Sequence, residues 1–308
     1  MEEKSFTIYI VSGFPSRAKL LVRALKSALS QEYEKYNVVL RVAYKDEQIL
    51  KMCDERVSIS YFDPKQISVG HKLGMNIADS LKHFNDFVCF LDDDDYFTPD
   101  KLKVVNSEFS RGIVYVHNDS SAIDINGKIL DFTNKRDDFN MSSISVDKKI
   151  IDEDFFRNLD SSVDTGIYLC ALKYGKLKFI KQKLTYYTIH QSTTMGYSGS
   201  FEDWRTRKLH SYKDIIQPTY EYMRDYFQGT KASKFVKRLL IRNRIFMELY
   251  ERNKGVNIFK KFIAVLSKPY SHSWDWFSNK VILASIISPD KTLRRLYKND
   301  IAFNEKVN

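Results

Sequence analysis

The chain has 308 residues, of which 43% are hydrophobic, 14% aromatic and 29% charged, with a formal net charge of +10. Such a length and aromatic content exclude a disordered chain and leave room for one large domain plus an appendage. Residues 201–308 hold 22 Lys/Arg against 11 Asp/Glu and residues 1–200 hold 27 against 28, so the basic excess lies in the C-terminal third. A third of that kind suits a solvated helical surface or an anionic membrane face, with nucleic acid ranking behind both. The three cysteines, Cys53, Cys89 and Cys170, form no CxxC pair, which argues against a disulfide framework or structural zinc site and suits a reducing compartment. The opening MEEKSFTIYIVSG lacks the features of a signal peptide, and no apolar run nears the ~20 residues of a membrane span. The expected location is cytoplasmic, with peripheral contact at the membrane's inner face left open.

Phe6 to Val11 reads as a short β-rich run that stops at the turn Ser12-Gly13-Phe14-Pro15. From Arg17 to Leu29, the residues Leu20, Leu21, Ala24, Leu25, Ala28 and Leu29 recur at helical spacing. Residues 37–43 and 57–61 read as strands, and residues 69–81 as a helix with Leu73, Ile77, Ala78 and Leu81 on one face. Phe87-Val88-Cys89-Phe90-Leu91 is almost wholly apolar, as a strand buried on both faces would be. This alternation predicts an α/β domain with a mostly parallel sheet, in which ligands collect beyond the carboxyl ends of the strands. Residues 113–116 and 178–180 supply further strands. Beyond Gly199 the chain reads as amphipathic helices rich in Arg, Lys, Tyr and Phe, interrupted at Pro269 and Pro289. The expected division is therefore an α/β domain over 1–200 and a basic helical region over 201–308.

The strongest chemical signal is Asp92-Asp93-Asp94-Asp95, directly after the apolar strand. Adjacent carboxylates that water cannot fully relieve repel one another unless a cation sits among them. A hard divalent ion, Mg²⁺ or Mn²⁺, meets that need through oxygen ligands and typically also binds substrate phosphates. The competing reading is an exposed acidic turn ahead of a helix that starts after Pro99.

Taken with Val69-Gly70-His71-Lys72-Leu73-Gly74-Met75, the stretch Phe90-Leu91-Asp92-Asp93-Asp94-Asp95-Tyr96-Phe97-Thr98-Pro99-Asp100-Lys101-Leu102 resembles the family 2 inverting glycosyltransferases of the GT-A fold. The resemblance extends to about residue 195. It implies a Rossmann-like, mostly parallel sheet between helices, followed here by a C-terminal helical extension. Asp92 and Asp94 match the two acids of the family's Asp-x-Asp motif, and Asp95 the acid that often follows. The resemblance implies that Asp92 contacts the ribose or the metal and that Asp94 binds the metal bridging the diphosphate. Ser12 to Arg17 stands where the family's nucleotide pocket begins, although its usual leading proline and its asparagine are missing. Asp46 is a candidate for base recognition, and Lys72 or His71 for the diphosphate. The implied nucleotide set is thus Ser12, Arg17, Asp46, Lys72, Asp92 and Asp93.

An inverting transfer needs a general base for the acceptor hydroxyl. Asp164, in Ser162-Val163-Asp164-Thr165-Gly166 ahead of Tyr174-Gly175-Lys176, matches the family's base, and a helix N-cap is its alternative role. Thr185-Tyr186-Tyr187-Thr188-Ile189-His190 resembles the closing motif, which would add His190 to a metal set of Asp92, Asp94 and Asp95. Imidazole suits Mn²⁺ better than Mg²⁺. Asn140 to Ser145 resembles the acceptor-side wall.

The expected function is metal-dependent transfer of a sugar, with inversion, from a nucleotide-diphosphate donor to a hydroxyl of a glycan, glycoprotein or lipid-linked acceptor. Two alternatives remain: a nucleotidyltransferase, which would normally show a Gly-rich phosphate loop, and a non-enzymatic module binding membrane or nucleic acid through its basic third.

Overall fold

The computed structural model describes residues 3–63, 69–109, 112–130, 140–190, 199–251 and 273–307, with the side chains of 69–72, 273–278 and 302–307 left aside. These residues fall into two compact units. The first holds most of the chain up to Thr188, and the second a turn at Asp124–Lys128 and the chain from Ile189 onward.

In the first unit, β1 (Phe6–Ser12), β2 (Tyr36–Val42), β3 (Val57–Tyr61) and β4 (Phe87–Asp92) run parallel. Further strands are β5 (Tyr96–Phe97), β6 (Ile113–Ile123), β7 (Ile144–Asp147) and β8 (Lys176–Thr188). The sheet order is β3-β2-β1-β4-β7-β6-β8-β5, with β7 antiparallel to both β4 and β6 and β5 antiparallel to β8. It is a mixed, mostly parallel sheet flanked by helices, as the alternation of elements predicts. β1 and β4 are apolar along nearly their whole length because both of their faces are covered: Phe6, Ile8, Ile10, Val88, Cys89, Phe90 and Leu91 are at most 2% exposed.

Helix α1 (Ala18–Leu29) buries Leu21, Val22, Ala24, Leu25 and Ala28 against this sheet, the face its spacing predicts. The six-residue α2 (Glu47–Met52) is not evident from periodicity. It is nucleated by Asp46, whose carboxylate accepts the backbone N–H of Gln48 and Ile49. α3 (Val69–Ser80) packs on α5 (Glu153–Arg157), and Gly74 allows the close approach. A Cβ there would stand 2.4 Å from the carbonyl oxygen of Phe156 and 3.3 Å from that of Leu159. The clash is with backbone, so the helices must separate. Gly74→Ala is therefore expected to destabilise the fold by about 1–3 kcal/mol, exceeding the roughly 1 kcal/mol that Ala gains over Gly in a helix. An unchanged denaturant midpoint would show that α3 and α5 do not pack so closely. The unit is completed by α4 (Lys101–Glu108) and α6 (Val163–Tyr174).

The second unit is helical where described. It contains α7 (Phe201–His210), α8 (Gln217–Tyr226), α9 (Ser233–Tyr250) and helices Ser273–Ile287 and Pro289–Val307. A π-helical stretch, Ser211–Ile216, joins α7 to α8 just ahead of Pro218, which has no N–H to continue a regular ladder. Trp204 is 1% exposed among Phe246, Leu249, Tyr250, Val281, Leu293 and Leu296, and its indole N–H donates to Asp300 at 2.9 Å. Trp204 is thus a core anchor. Trp274 and Trp276 lie outside the described side chains. No described helix is long and apolar enough to cross a membrane.

Candidate functional site

The order β3-β2-β1-β4 places successive strands first on one side of β1 and then on the other, so the chain reverses direction across the sheet between β1 and β4. Loops leaving the carboxyl ends of such a pair splay apart and open a crevice. Val11 and Asp92 are register partners across this pair. The Ser12–Arg17 segment and the acidic run therefore leave the sheet side by side, and their contacts follow from that.

The Ser12 hydroxyl donates to Asp93 Oδ2 at 2.6 Å and lies 3.0 Å from the Tyr44 hydroxyl. Arg17 Nη1 reaches Asp93 Oδ1 at 3.0 Å and Asp94 Oδ2 at 3.2 Å. Arg23, one turn further along α1, donates to the Asp94 carbonyl at 2.9 Å and to Thr188 Oγ1 at 2.7 Å, with its guanidinium over the Tyr96 ring. The acidic run is a tight turn, closed by the Asp95 N–H donating to the Asp92 carbonyl at 3.2 Å. It is far from a solvated surface loop: Asp93 is 3% exposed, Asp94 8% and Asp95 0%.

This crowding shifts protons. Burial, then the charges of Asp94 and Asp93, push the Asp92 carboxyl up to about 8, against the pull of Arg17. Burial and Asp94 raise Asp93 as well, with Ser12 and Arg17 opposing. Asp95 is held well above the usual carboxylate range by burial and by repulsion from Asp94 and Asp92. Arg17 alone does not relieve the cluster.

Asp164 belongs to the same unit, and its charge adds to the raising of Asp92. It stands in the first turn of α6, with its carboxylate accepting the Thr165 N–H at 2.7 Å, and burial raises its own pKa. The N-cap alternative does not hold, because Ser162 occupies the cap position. Ser162 has φ +55°, the only left-handed non-glycine residue among those described, so local strain sits next to the acid.

Asp46 caps α2 beyond the end of β2, two residues past Tyr44, so this candidate for base recognition also has a structural task. His190 is 7% exposed and belongs to the second unit. The side chains of His71 and Lys72 and the loop Ser192-Thr193-Thr194 lie outside the described residues. The proposed acceptor wall turns inward. Ser142, Ser143 and Ser145 are 0% exposed, which puts them out of an acceptor's reach. The Ser142 hydroxyl instead accepts the Asp92 N–H at 2.9 Å and donates to Asp95 Oδ2 at 2.6 Å.

Among the described residues no three acidic, His or Cys side chains are grouped as a metal cage. A Mg²⁺ or Mn²⁺ ion needs no such cage, since one or two carboxylates plus substrate phosphates and water complete its shell. The oxygen-only donors Asp92 and Asp94 fit that requirement.

Sequence reading assigned no role to Tyr44, Arg23, Thr188 or Lys101, and it put Ser142 on the acceptor wall. Lys101 is 0% exposed, and its Nζ donates to the Ser142 carbonyl at 2.5 Å and to Thr185 Oγ1 at 3.2 Å.

No family model matches the chain, and no curated protein matches it either. Solved structures do. A crystal structure of residues 1–349 of S. aureus TarS in complex with UDP aligns over 98% of this chain and 90% of that one, at 14% identity and a TM-score of 0.53. The same fragment in complex with UDP-GlcNAc aligns over 92% and 91%, at 15% identity and a TM-score of 0.52. The mannosyltransferase PcManGT from Pyrobaculum calidifontis, in complex with GDP-Man and Mn²⁺, aligns over 97% of this chain and 86% of that one, at 12% identity and a TM-score of 0.51. At these identities the likeness concerns the fold, and the fold of this chain is GT-A-like.

Proposed function

We propose that this chain is a glycosyltransferase that moves a sugar from a nucleotide-diphosphate donor to an acceptor hydroxyl by a single inverting displacement assisted by Mn²⁺ or Mg²⁺. The observation that carries the reading is the convergence of Ser12, Arg17 and four adjacent carboxylates, three of them buried, at the reversal point of the sheet, within electrostatic reach of Asp164. A dinucleotide-type crevice with a surplus of oxygen donors suits a diphosphate bound through a cation. The neighbours in complex with UDP-GlcNAc and with GDP-Man and Mn²⁺ support that choice of ligand.

Asp92 and Asp94 would hold the cation, which when bound offsets the charge developing on the departing diphosphate. Arg17 lies where its guanidinium can turn from the carboxylates to phosphate oxygens, with which it forms charge-assisted hydrogen bonds. Ser12 and Tyr44 border the nucleotide side. Asp164 takes the proton of the acceptor hydroxyl as that oxygen bonds to the anomeric carbon, while the bond from that carbon to the phosphate oxygen breaks. Burial suits Asp164 to this task, because a raised pKa makes a carboxylate a stronger base.

The test is incubation of the purified chain with a panel of nucleoside-diphosphate sugars and Mn²⁺. Release of nucleoside diphosphate is expected. Pyrophosphate as product would instead point to nucleotidyl transfer, and no turnover of any donor would sink the proposal.

A second element of the proposal is peripheral contact with an anionic membrane surface. Ile287 is 88% exposed, and Lys280, Lys291 and Arg295, close to it in sequence, are exposed as well. Sedimentation with phosphatidylserine vesicles but not with phosphatidylcholine vesicles, lost at high salt, is the expected behaviour. Equal recovery in the supernatant with both would remove this element and leave the transfer reaction standing.

A further inference from the structure

We propose that Lys101, Ser142 and Asp95 form a buried, hydrogen-bonded strut that fixes the backbone of Asp92, and that Asp95 belongs to this strut and is not a ligand of the cation. What the strut serves rests on the transferase reading; the strut itself does not.

Asp95 is wholly buried and both of its carboxylate oxygens are engaged. Oδ2 accepts the Ser142 hydroxyl at 2.6 Å, and Oδ1 accepts the Thr188 N–H at 2.8 Å. A ligand carboxylate must keep a lone pair turned toward open space, whereas these oxygens face strand β8 and the segment leading into β7. Ser142 is the joint. Its hydroxyl takes the Asp92 N–H on one side and gives its proton to Asp95 on the other. Its carbonyl receives Lys101 Nζ at 2.5 Å and Thr185 Oγ1 at 2.8 Å.

Lys101 is the cation at the foot of this chain. It is entirely buried, with its ammonium 3.7 Å from the centroid of the Phe97 ring, so it cannot touch a substrate. Burial drives it toward the neutral form, to about 7. Lys101 and Asp95 thus lie on either side of Ser142 and are linked through it by hydrogen bonds. Buried polar groups are unfavourable without such partners. The backbone N–H that this assembly holds belongs to the first acid of the run, so the strut governs where Asp92 and its successors emerge from β4. Lys101 is accordingly a positioning residue.

The test combines a double-mutant cycle with amide exchange and Mn²⁺ binding, all on the full chain. Asp95→Asn and Lys101→Met should each lower the folding equilibrium constant at least about tenfold, and the double variant should lose less than the two single losses together, since both groups act through Ser142. Additive losses would overturn the coupling. Ser142→Ala, a small change expected to fold, should speed hydrogen exchange at the Asp92 amide about tenfold or more. A purely structural role elsewhere would not move that signal, and unchanged exchange there would overturn the positioning role. Titration with Mn²⁺ alone separates ligand from strut. Asp95→Asn should bind it within about threefold of the parent, whereas Asp94→Asn should lose more than tenfold. Loss in Asp95→Asn equal to that in Asp94→Asn would overturn the assignment. If the parent itself binds no Mn²⁺, the metal-assisted reading fails, while the cycle and the exchange rates still decide the strut.

Discussion

Replacing Asp164 with Asn should lower kcat for sugar transfer about 10²- to 10⁴-fold, the range in which a positioned general base contributes. The substitution is nearly isosteric, and the amide oxygen can still accept the Thr165 N–H that the carboxylate holds at 2.7 Å, so α6 should start as before. What disappears is the group proposed to receive the acceptor's proton. Donor binding should be preserved, and the charge that Asp164 adds to the acidic run is removed, so Mn²⁺ affinity should stay level or fall slightly. A loss confined to kcat, with the apparent KM for the donor unchanged, is the pattern of an interaction made only in the transition state. The pH profile offers a second readout. Because burial raises the Asp164 pKa, the rate should already fall off, as pH is lowered, above the ordinary aspartate range. Undiminished turnover in a folded Asp164→Asn variant would dismiss the assignment, and a raised donor KM with normal kcat would move Asp164 to the donor side.

The acidic run at the end of a buried strand was legible in the chain because its signal is local. An apolar strand followed at once by carboxylates states its own conflict, and only a cation or a proton resolves it. The mostly parallel sheet was legible for a similar reason, since alternating strand and helix patterns leave few ways to pack. Lys101 was not. A lysine two residues after Pro99 reads as the solvated side of a new helix. Its burial depends on Ser142 and Thr185, 41 and 84 residues away, meeting it beneath β4. Ser142 was noticed but placed on the wrong side of the wall, because the antiparallel strand β7 inserted beside β4 is set by non-local pairing and spans only four residues. Asp46 shows a third situation: its place after a strand was visible, but the helix it caps is too short to reveal a period.

The largest solution effect after loss of the base should come from the acids themselves. In metal-free buffer the protein should become less stable as pH rises from about 5 to about 7, and Mn²⁺ should reverse much of that loss. Asp92 in the folded chain keeps its proton up to about 8, whereas an unfolded aspartate releases it near about 3.9. Between those values the folded state binds more protons, so raising the pH favours unfolding. The slope for one carboxyl is at most about 1.4 kcal/mol per pH unit, reduced here because Asp92 is only partly buried. Asp93, Asp95 and Asp164 are raised as well and act in the same direction. Lys101 acts oppositely, gaining stability with rising pH only above its own value of about 7, so the chosen window lies below its influence. Asp92→Asn should therefore flatten the slope without abolishing it. A cation that binds only the ionised, folded site stabilises it by about 2.7 kcal/mol at a hundredfold excess over its Kd, and that gain should grow with pH as protons leave the site. Asp94→Asn should lose the gain while retaining most of the pH slope, because its neighbours still titrate. Thermal unfolding midpoints of the three proteins, with EDTA or with Mn²⁺ at pH 5, 6 and 7, distinguish these outcomes. Stability that rises with pH in EDTA, or a Mn²⁺ shift of equal size in Asp94→Asn, would mean that the acidic run is neutralised by Arg17 and needs no ion.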